Sequence, residues 1–263
     1  MVADRRPDGT TSPPSHRLPT CLVAGNSHVS ALQVALAEDP GRSQNAGHIL
    51  DVRRIYSPTE TPPPEGVTMA EALALAQRLE HGDRVALSLA GTCHNIMGLL
   101  QHDEPFDLLA PDMAPEATMV PYKLMYDQML EHIGTRRTTP RFQQLSPATI
   151  YHIATPPPKE DEAYIRAKMM RYRGIALGSA ILNPAPVRLR LWEIEMEALK
   201  EVCAEWGVHF LAVPDAARTR SGFLKPEYYA PDATHANAAY GALVLEQLDG
   251  LAAGGSARTG EAR

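Results

Sequence analysis

The sequence predicts an α/β protein built on a mainly parallel sheet covered by helices on both faces. Three observations carry this. Short apolar runs with strand character recur along the 263 residues, and segments of helical periodicity separate them. The first run also passes directly through a glycine turn into a helical pattern, the opening of an α/β unit. A hydrophobic content of 44% with 21% charged residues is the balance of a globular chain, and single α/β domains of this length are routine.

Residues 1–19 are rich in Arg, Asp, Pro and Ser, lack the apolar run of a signal peptide, and are expected to be flexible. The domain is expected over 20–251. Thr20–Ala24 is the first strand, Gly25-Asn26-Ser27 the turn, and Val29–Ala37 the first helix. A second strand runs His48–Tyr56 and gives way to a loop through Pro62-Pro63-Pro64. Thr68 followed by Glu71 is a capping box that starts the next helix, with Ala70, Leu73, Ala74 and Leu79 as its apolar face. Val85–Ala90 is the third strand and ends at Gly91.

From 101 to 147 prolines break the rhythm, which reads as an insertion beside the sheet with one helix around Tyr122–His132. Its methionines (Met113, Met119, Met125, Met129) suit either core packing or an adaptable binding surface. Thr149–Ala154 is the fourth strand, stopped by Pro156-Pro157-Pro158, and helical patterns follow at Asp161–Tyr172 and Leu191–Trp206. Val208–Val213 is the fifth strand, Gly222–Pro231 a loop rich in Tyr and Pro, and Ala236–Leu251 the last helix. The Gly/Ala/Ser tail, 252–263, is expected to be disordered.

A net charge of -6 offers nothing to a nucleic-acid backbone, and the pairs Arg53-Arg54 and Arg136-Arg137 read as solvated surface charge. Cys21, Cys93 and Cys203 are too widely spaced for a zinc site, and the ten histidines show no metal-binding spacing, so neither metal nor cofactor is expected. Free cysteines suit a reducing compartment, and no segment approaches the ~20 apolar residues of a membrane span, which makes the cytoplasm the expected location. Oligomeric state is left open.

In a parallel sheet, ligands collect beyond the carboxyl ends of the strands. Three chemically suggestive segments fall in loops on that side. Gly25-Asn26-Ser27 presents a serine at a helix N-terminus, where Gly25 can take a backbone conformation that other residues resist and free backbone N–H groups can stabilise an oxyanion. The plainer alternative is that Asn26 or Ser27 only caps the helix. Asp232-Ala233-Thr234-His235 places a carboxylate within one turn of an imidazole; alone, it could be a helix cap and a first-turn histidine. Together the two segments hold the parts of a triad, with Ser27 as nucleophile, His235 as base and Asp232 orienting the imidazole.

These two blocks resemble those of the SGNH hydrolases, also called GDSL-like esterases and lipases: a Gly-Asp-Ser block after the first strand and an Asp-x-x-His block before the last helix. Here the first reads Gly25-Asn26-Ser27, and the second is followed by Asn237 and Tyr240-Gly241. The resemblance implies a three-layer α/β/α sandwich (SGNH/flavodoxin-like) on a roughly five-stranded sheet, and hydrolysis of a carboxylic ester through an acyl-enzyme. It also implies an oxyanion hole built from the Ser27 N–H, a glycine after the second strand, for which Gly66 is placed, and an asparagine after the third. In that third block Thr92 stands in the asparagine position and Cys93 in the aspartate position, while Asn95 lies three residues further on.

Two alternatives follow: an O-acyltransferase that passes the acyl group to a sugar or other alcohol, and a catalytically silent binding protein, suggested by the altered third block. His28, His94, Phe223 and Tyr228 are candidate substrate contacts, with Tyr229 beside them, for a small-molecule or carbohydrate ester. Cys93, next to His94, is a weaker candidate nucleophile, since no partner to orient a base is evident and Ser27 explains more, and His152 reads as a satisfied core histidine.

Overall fold

The computed structural model describes residues 20–42, 47–56, 66–108, 118–136, 138–168, 171–172, 175–176 and 180–257. Five strands form one sheet: β1 (Thr20–Gly25), β2 (Ile49–Arg54), β3 (Arg84–Ser88), β4 (Thr149–Ile153) and β5 (His209–Leu211). Their order is β2-β1-β3-β4-β5, and every neighbouring pair is parallel. All five residues of β3 are buried, as are all of β1 after Thr20. Consecutive side chains of a strand point to opposite faces, so this pattern requires a covered sheet on both sides.

The helices supply that cover: α1 (Ser30–Glu38), α2 (Met69–Gln77), α3 (Cys93–Gly98), α4 (Tyr122–Arg136), α5 (Thr138–Leu145), α6 (Glu162–Lys168), α7 (Ala185–Glu205) and α8 (Ala238–Ala257). One group pairs α1 with α8; the other packs α7 against α3 and α4, and α2 against α5. The result is the three-layer α/β/α sandwich expected. The capping box forms as read, with the Glu71 N–H donating to Thr68 Oγ1 at 3.2 Å and the Thr68 N–H to Glu71 Oε2 at 2.7 Å.

Several elements depart from the sequence reading. The segment 101–147 holds a second helix, α5, whose Pro140 lies in the first turn, where a missing N–H costs nothing. Met125 and Met129 are buried in the main core, the packing alternative, whereas Met119 is exposed and Met113 lies outside the described residues. Helix α7 begins at Ala185, six residues before Leu191, because Pro184 and Pro186 sit at its start, where proline favours a helix. Helix α6 stops at Lys168, and Arg171–Tyr172 instead pairs antiparallel with Ile175–Ala176. Helix α8 continues to Ala257, into the expected tail, carried through Ala252 and Ala253, which are strong helix formers. Residues 1–19, Pro62–Pro64 and 258–263 lie outside the described residues. Among the described residues no helix is long and apolar enough to cross a membrane.

Candidate active site

The chain leaves β1 for β2 on one side and returns to β3 on the other, so the carboxyl ends of β1 and β3 form the topological switch point of the sheet. Gly25 and Ser88 stand in register there, and the Asn26 N–H donates to the Ser88 carbonyl at 3.0 Å. A Cβ on Gly25 would lie 2.5 Å from that carbonyl oxygen and 2.9 Å from Val29 Cγ1. Close approach, and not the unusual backbone conformation expected, therefore demands glycine: Gly25 is absent from the positive-φ glycines. A 3-10 turn, Ser27–Val29, then leads into α1. Asn26 precedes it without a side-chain capping bond, so the capping alternative fails for Asn26.

The Ser27 hydroxyl is engaged elsewhere. Its Oγ lies 2.7 Å from His235 Nε2, across 208 residues of sequence. His235 Nδ1 lies 2.7 Å from Asp232 Oδ2, while Asp232 Oδ1 accepts the N–H groups of Thr234 at 2.9 Å and His235 at 2.7 Å. Because the ionised carboxylate accepts from Nδ1–H, the neutral imidazole presents Nε2 as an acceptor, and the serine hydroxyl donates to it. Burial pushes the Asp232 carboxyl up, but the bonds from the His235 side chain and backbone outweigh this and hold it well below the usual carboxylate range. Asp232 and His235 each keep about a third of their side-chain surface open, 30% and 32%, so the pair is ordered and still within reach of a substrate.

His28 packs its ring against that of His235, with centroids 4.8 Å apart. Its Nδ1 is buried with no partner among the described residues. Burial, followed by the neighbouring His235 and His94, lowers the His28 pKa to about 3. The environment of His28 thus favours its neutral form beside the His235 ring.

The loop after β3 turns at Gly91, whose φ of +92° is a conformation that residues with a side chain rarely adopt. Thr155 Oγ1 donates to the Gly91 carbonyl at 2.6 Å. Helix α3 follows, and its first N–H groups are capped by a residue the sequence reading missed. Glu195, on α7 and fully buried, accepts from the Cys93 N–H on Oε1 and from the His94 N–H on Oε2, both at 2.8 Å, and its Oε2 lies 2.7 Å from His94 Nδ1. Burial raises the Glu195 carboxyl, yet these bonds bring it below its usual value. No local spacing signals such a contact, since Glu195 lies 101 residues beyond His94.

No family model matches the chain, and no curated protein does. Solved structures are similar to it over most of its length. The periplasmic domain of a lipopolysaccharide acetyltransferase of Salmonella ser. Paratyphi A has a TM-score of 0.48 and 12% identity, covering 88% of this chain and 82% of that one. A GDSL-like lipase of Bacteroides thetaiotaomicron has a TM-score of 0.43 and 12% identity, covering 92% and 93%. A carbohydrate acetylesterase of Sinorhizobium meliloti has a TM-score of 0.42 and 12% identity, covering 90% and 99%. At these scores and identities the likenesses carry no weight for chemistry, which rests on the side-chain geometry of this chain.

The other sequence-predicted residues are placed as follows. Thr92 is the N-cap residue of α3 but makes no capping bond, Glu195 having taken that role. Asn95 lies one turn further into the helix, and its carbonyl accepts from the Tyr172 hydroxyl at 3.2 Å. Gly66 stands beside the end of β2, immediately before the bridge between Ile55 and Val67. His94 and Phe223 are buried, 2% and 4% exposed, rather than open to a substrate: His94 is bound to Glu195, and Phe223 closes a turn with Thr219. Tyr228 is half-buried against the core, while Tyr229 is buried and its hydroxyl accepts from the Glu160 N–H at 3.0 Å. Cys93 is buried with Sγ 3.4 Å from Met97 Sδ. His152 is a core residue, as read, but its ring nitrogens have no partners among the described residues, and burial lowers its pKa to about 4.

Proposed function

We propose that the protein is a serine-dependent carboxylic ester hydrolase of the SGNH type. One observation carries this reading: a continuous hydrogen-bonded relay from Ser27 Oγ through His235 to Asp232, with 2.7 Å at each step. Ser27 Oγ attacks the ester carbonyl while His235 Nε2 takes its proton. His235 then gives that proton to the departing alcohol, which leaves an acyl-enzyme on Ser27. Water, deprotonated by the same nitrogen, releases the acid and restores the serine. Asp232 stays ionised throughout and stabilises the imidazolium. The oxyanion falls to the Ser27 N–H at the start of its 3-10 turn, with Gly66 and Thr92 or Asn95 as the further donors the sequence resemblance implies.

A fluorophosphonate probe tests the nucleophile directly. Ser27 of the native protein should be labelled stoichiometrically and the Ser27→Ala variant not at all; an unlabelled native protein would leave the silent binding alternative standing. Release of free acid from a series of acyl esters, with and without an added alcohol acceptor, then separates hydrolysis from acyl transfer and defines the acyl group.

A further inference from the structure

The strand β4 continues into Thr155-Pro156-Pro157-Pro158-Lys159, all buried. Three consecutive prolines fix their own φ angles and stiffen this path, and the Leu224 N–H donating to the Pro158 carbonyl at 3.1 Å ties it to the loop leading to the triad. The segment delivers the ammonium of Lys159, 1% exposed, to the underside of that loop. Its Nζ donates to the carbonyl oxygens of Ala230 and Asp232 and lies 3.6 Å from Asp232 Oδ1. The rings of Tyr164 and Tyr229 flank it, each centroid 5.3 Å from Nζ.

From this juxtaposition we propose that Lys159 is the positioning residue of the triad: a tethered internal cation that gathers two backbone carbonyls of the 230–235 loop and sets its charge beside Asp232. The proposal rests on reading Ser27, His235 and Asp232 as the triad. The turn closes on itself at its base, where the Ala230 N–H donates to the His235 carbonyl at 3.1 Å, and the Lys159 ammonium adds a donor that joins the Ala230 and Asp232 carbonyls within it. An ammonium suits this place because it offers three N–H bonds from one point and a charge for the aromatic faces. It also sets its charge near Asp232 Oδ1, the carboxylate oxygen other than the one that meets the His235 ring.

Burial is the cost of the arrangement, and it lowers the Lys159 pKa to about 8, against the pull of Asp232. The other groups facing this cation do not replace it. Tyr229 is kept a neutral phenol by burial, Glu160 and Asp161 act on Tyr229, Lys168 lies across the Tyr164 ring, and Arg188 of α7 is bound to the Glu160 carbonyl. Above pH 8 the site therefore loses its positive charge, and the order of the Asp232–His235 pair should fall with it.

The test follows the downfield Nδ1–H proton of His235 by NMR, together with kcat and KM across pH, in the native protein and in Lys159→Met. In the native protein we expect both the proton signal and kcat to change with a midpoint near pH 8. Lys159→Met should show neither inflection, with kcat lower by about tenfold and KM within about twofold, as for lost positioning rather than lost binding. A native signal and kcat that are flat from pH 7 to pH 9, or a Lys159→Met variant with native kcat, would overturn the proposal. If the variant does not fold, the native titration alone decides. A proton signal that follows Lys159 in a protein whose Ser27 is not labelled would uphold the positioning role and remove the esterase reading.

Discussion

Two carboxylate–imidazole pairs stand at the carboxyl end of the sheet, and they are built alike. Asp232 binds Nδ1 of His235 and two backbone N–H groups beside it; Glu195 binds Nδ1 of His94 and two backbone N–H groups beside it. They differ in exposure and in what the far nitrogen meets. Asp232 and His235 are each about a third open, and Nε2 meets Ser27 Oγ. Glu195 and His94 are closed off, at 0% and 2%, and Nε2 of His94 has no partner among the described residues. The same bonding motif thus serves two ends. Where substrate and solvent can reach the imidazole, it is equipped for proton transfer; where nothing reaches it, the carboxylate caps α3 and fixes the loop after β3.

That contrast can be broken by removing each carboxylate in turn. Asp232→Asn should lower kcat by about 10⁴-fold because it spoils the imidazole tautomer, with a smaller loss of stability from the bonds its carboxylate gives up; an effect under tenfold would take Asp232 out of the chemistry. Glu195→Ala should do the reverse, costing about 3–5 kcal/mol in urea denaturation because it uncaps α3 and strands His94 in the core. A Glu195→Ala protein as stable as the native one would dissolve the distinction between the pairs. Cys93→Ala should be the mildest change, leaving ester hydrolysis within about twofold and costing about 1 kcal/mol for the lost buried sulfur. Abolition of activity by Cys93→Ala would revive the thiol as a nucleophile.

Acid sharpens the comparison further. His28 and His152 have folded pKa values lowered to about 3 and about 4, so between those values and the unfolded value near 6.5 the unfolded chain binds more protons. Their contribution is present above about 6.5 and is lost as pH falls toward the folded values. Asp232 and Glu195, both lowered, act in the same direction from the unfolded carboxylate range near 4 downward. Urea midpoints should therefore begin to drop below about pH 6.5 and fall faster below about pH 4. A His152→Phe variant should lose part of the upper phase, and a native midpoint constant from pH 7 to pH 4 would contradict the assignment of both histidines as neutral groups in the folded protein.

Much of this was readable in the chain because it is local. The strand–glycine–helix opening, the Thr68 capping box and the Asp232–His235 spacing each lie within a few residues, where periodicity and turn chemistry act directly. The helix around Pro140 was not expected and the one after Pro184 was begun six residues late, because a proline in the first turn opens a helix that periodicity alone picks up only further along. Gly25 was correctly marked for the wrong reason: its neighbour Ser88 lies 63 residues away in sequence, and only the β1–β3 register brings the two together. Glu195 and Lys159 gave no sign at all, each being one charged residue among several in a segment with no motif.

By itself, then, the amino-acid sequence determined the alternation of strands and helices and the closeness of Asp232 to His235, because each follows from short-range geometry, while Ser27 stood out only when set beside that distant pair. Tertiary structure alone decided that His235 Nε2 meets Ser27 Oγ, that His94 is withdrawn onto Glu195, and that Lys159 binds the carbonyls of Ala230 and Asp232. Those contacts join segments between 71 and 208 residues apart. Their energies depend on burial, and burial is a property of the packed sheet and helices rather than of any stretch of chain.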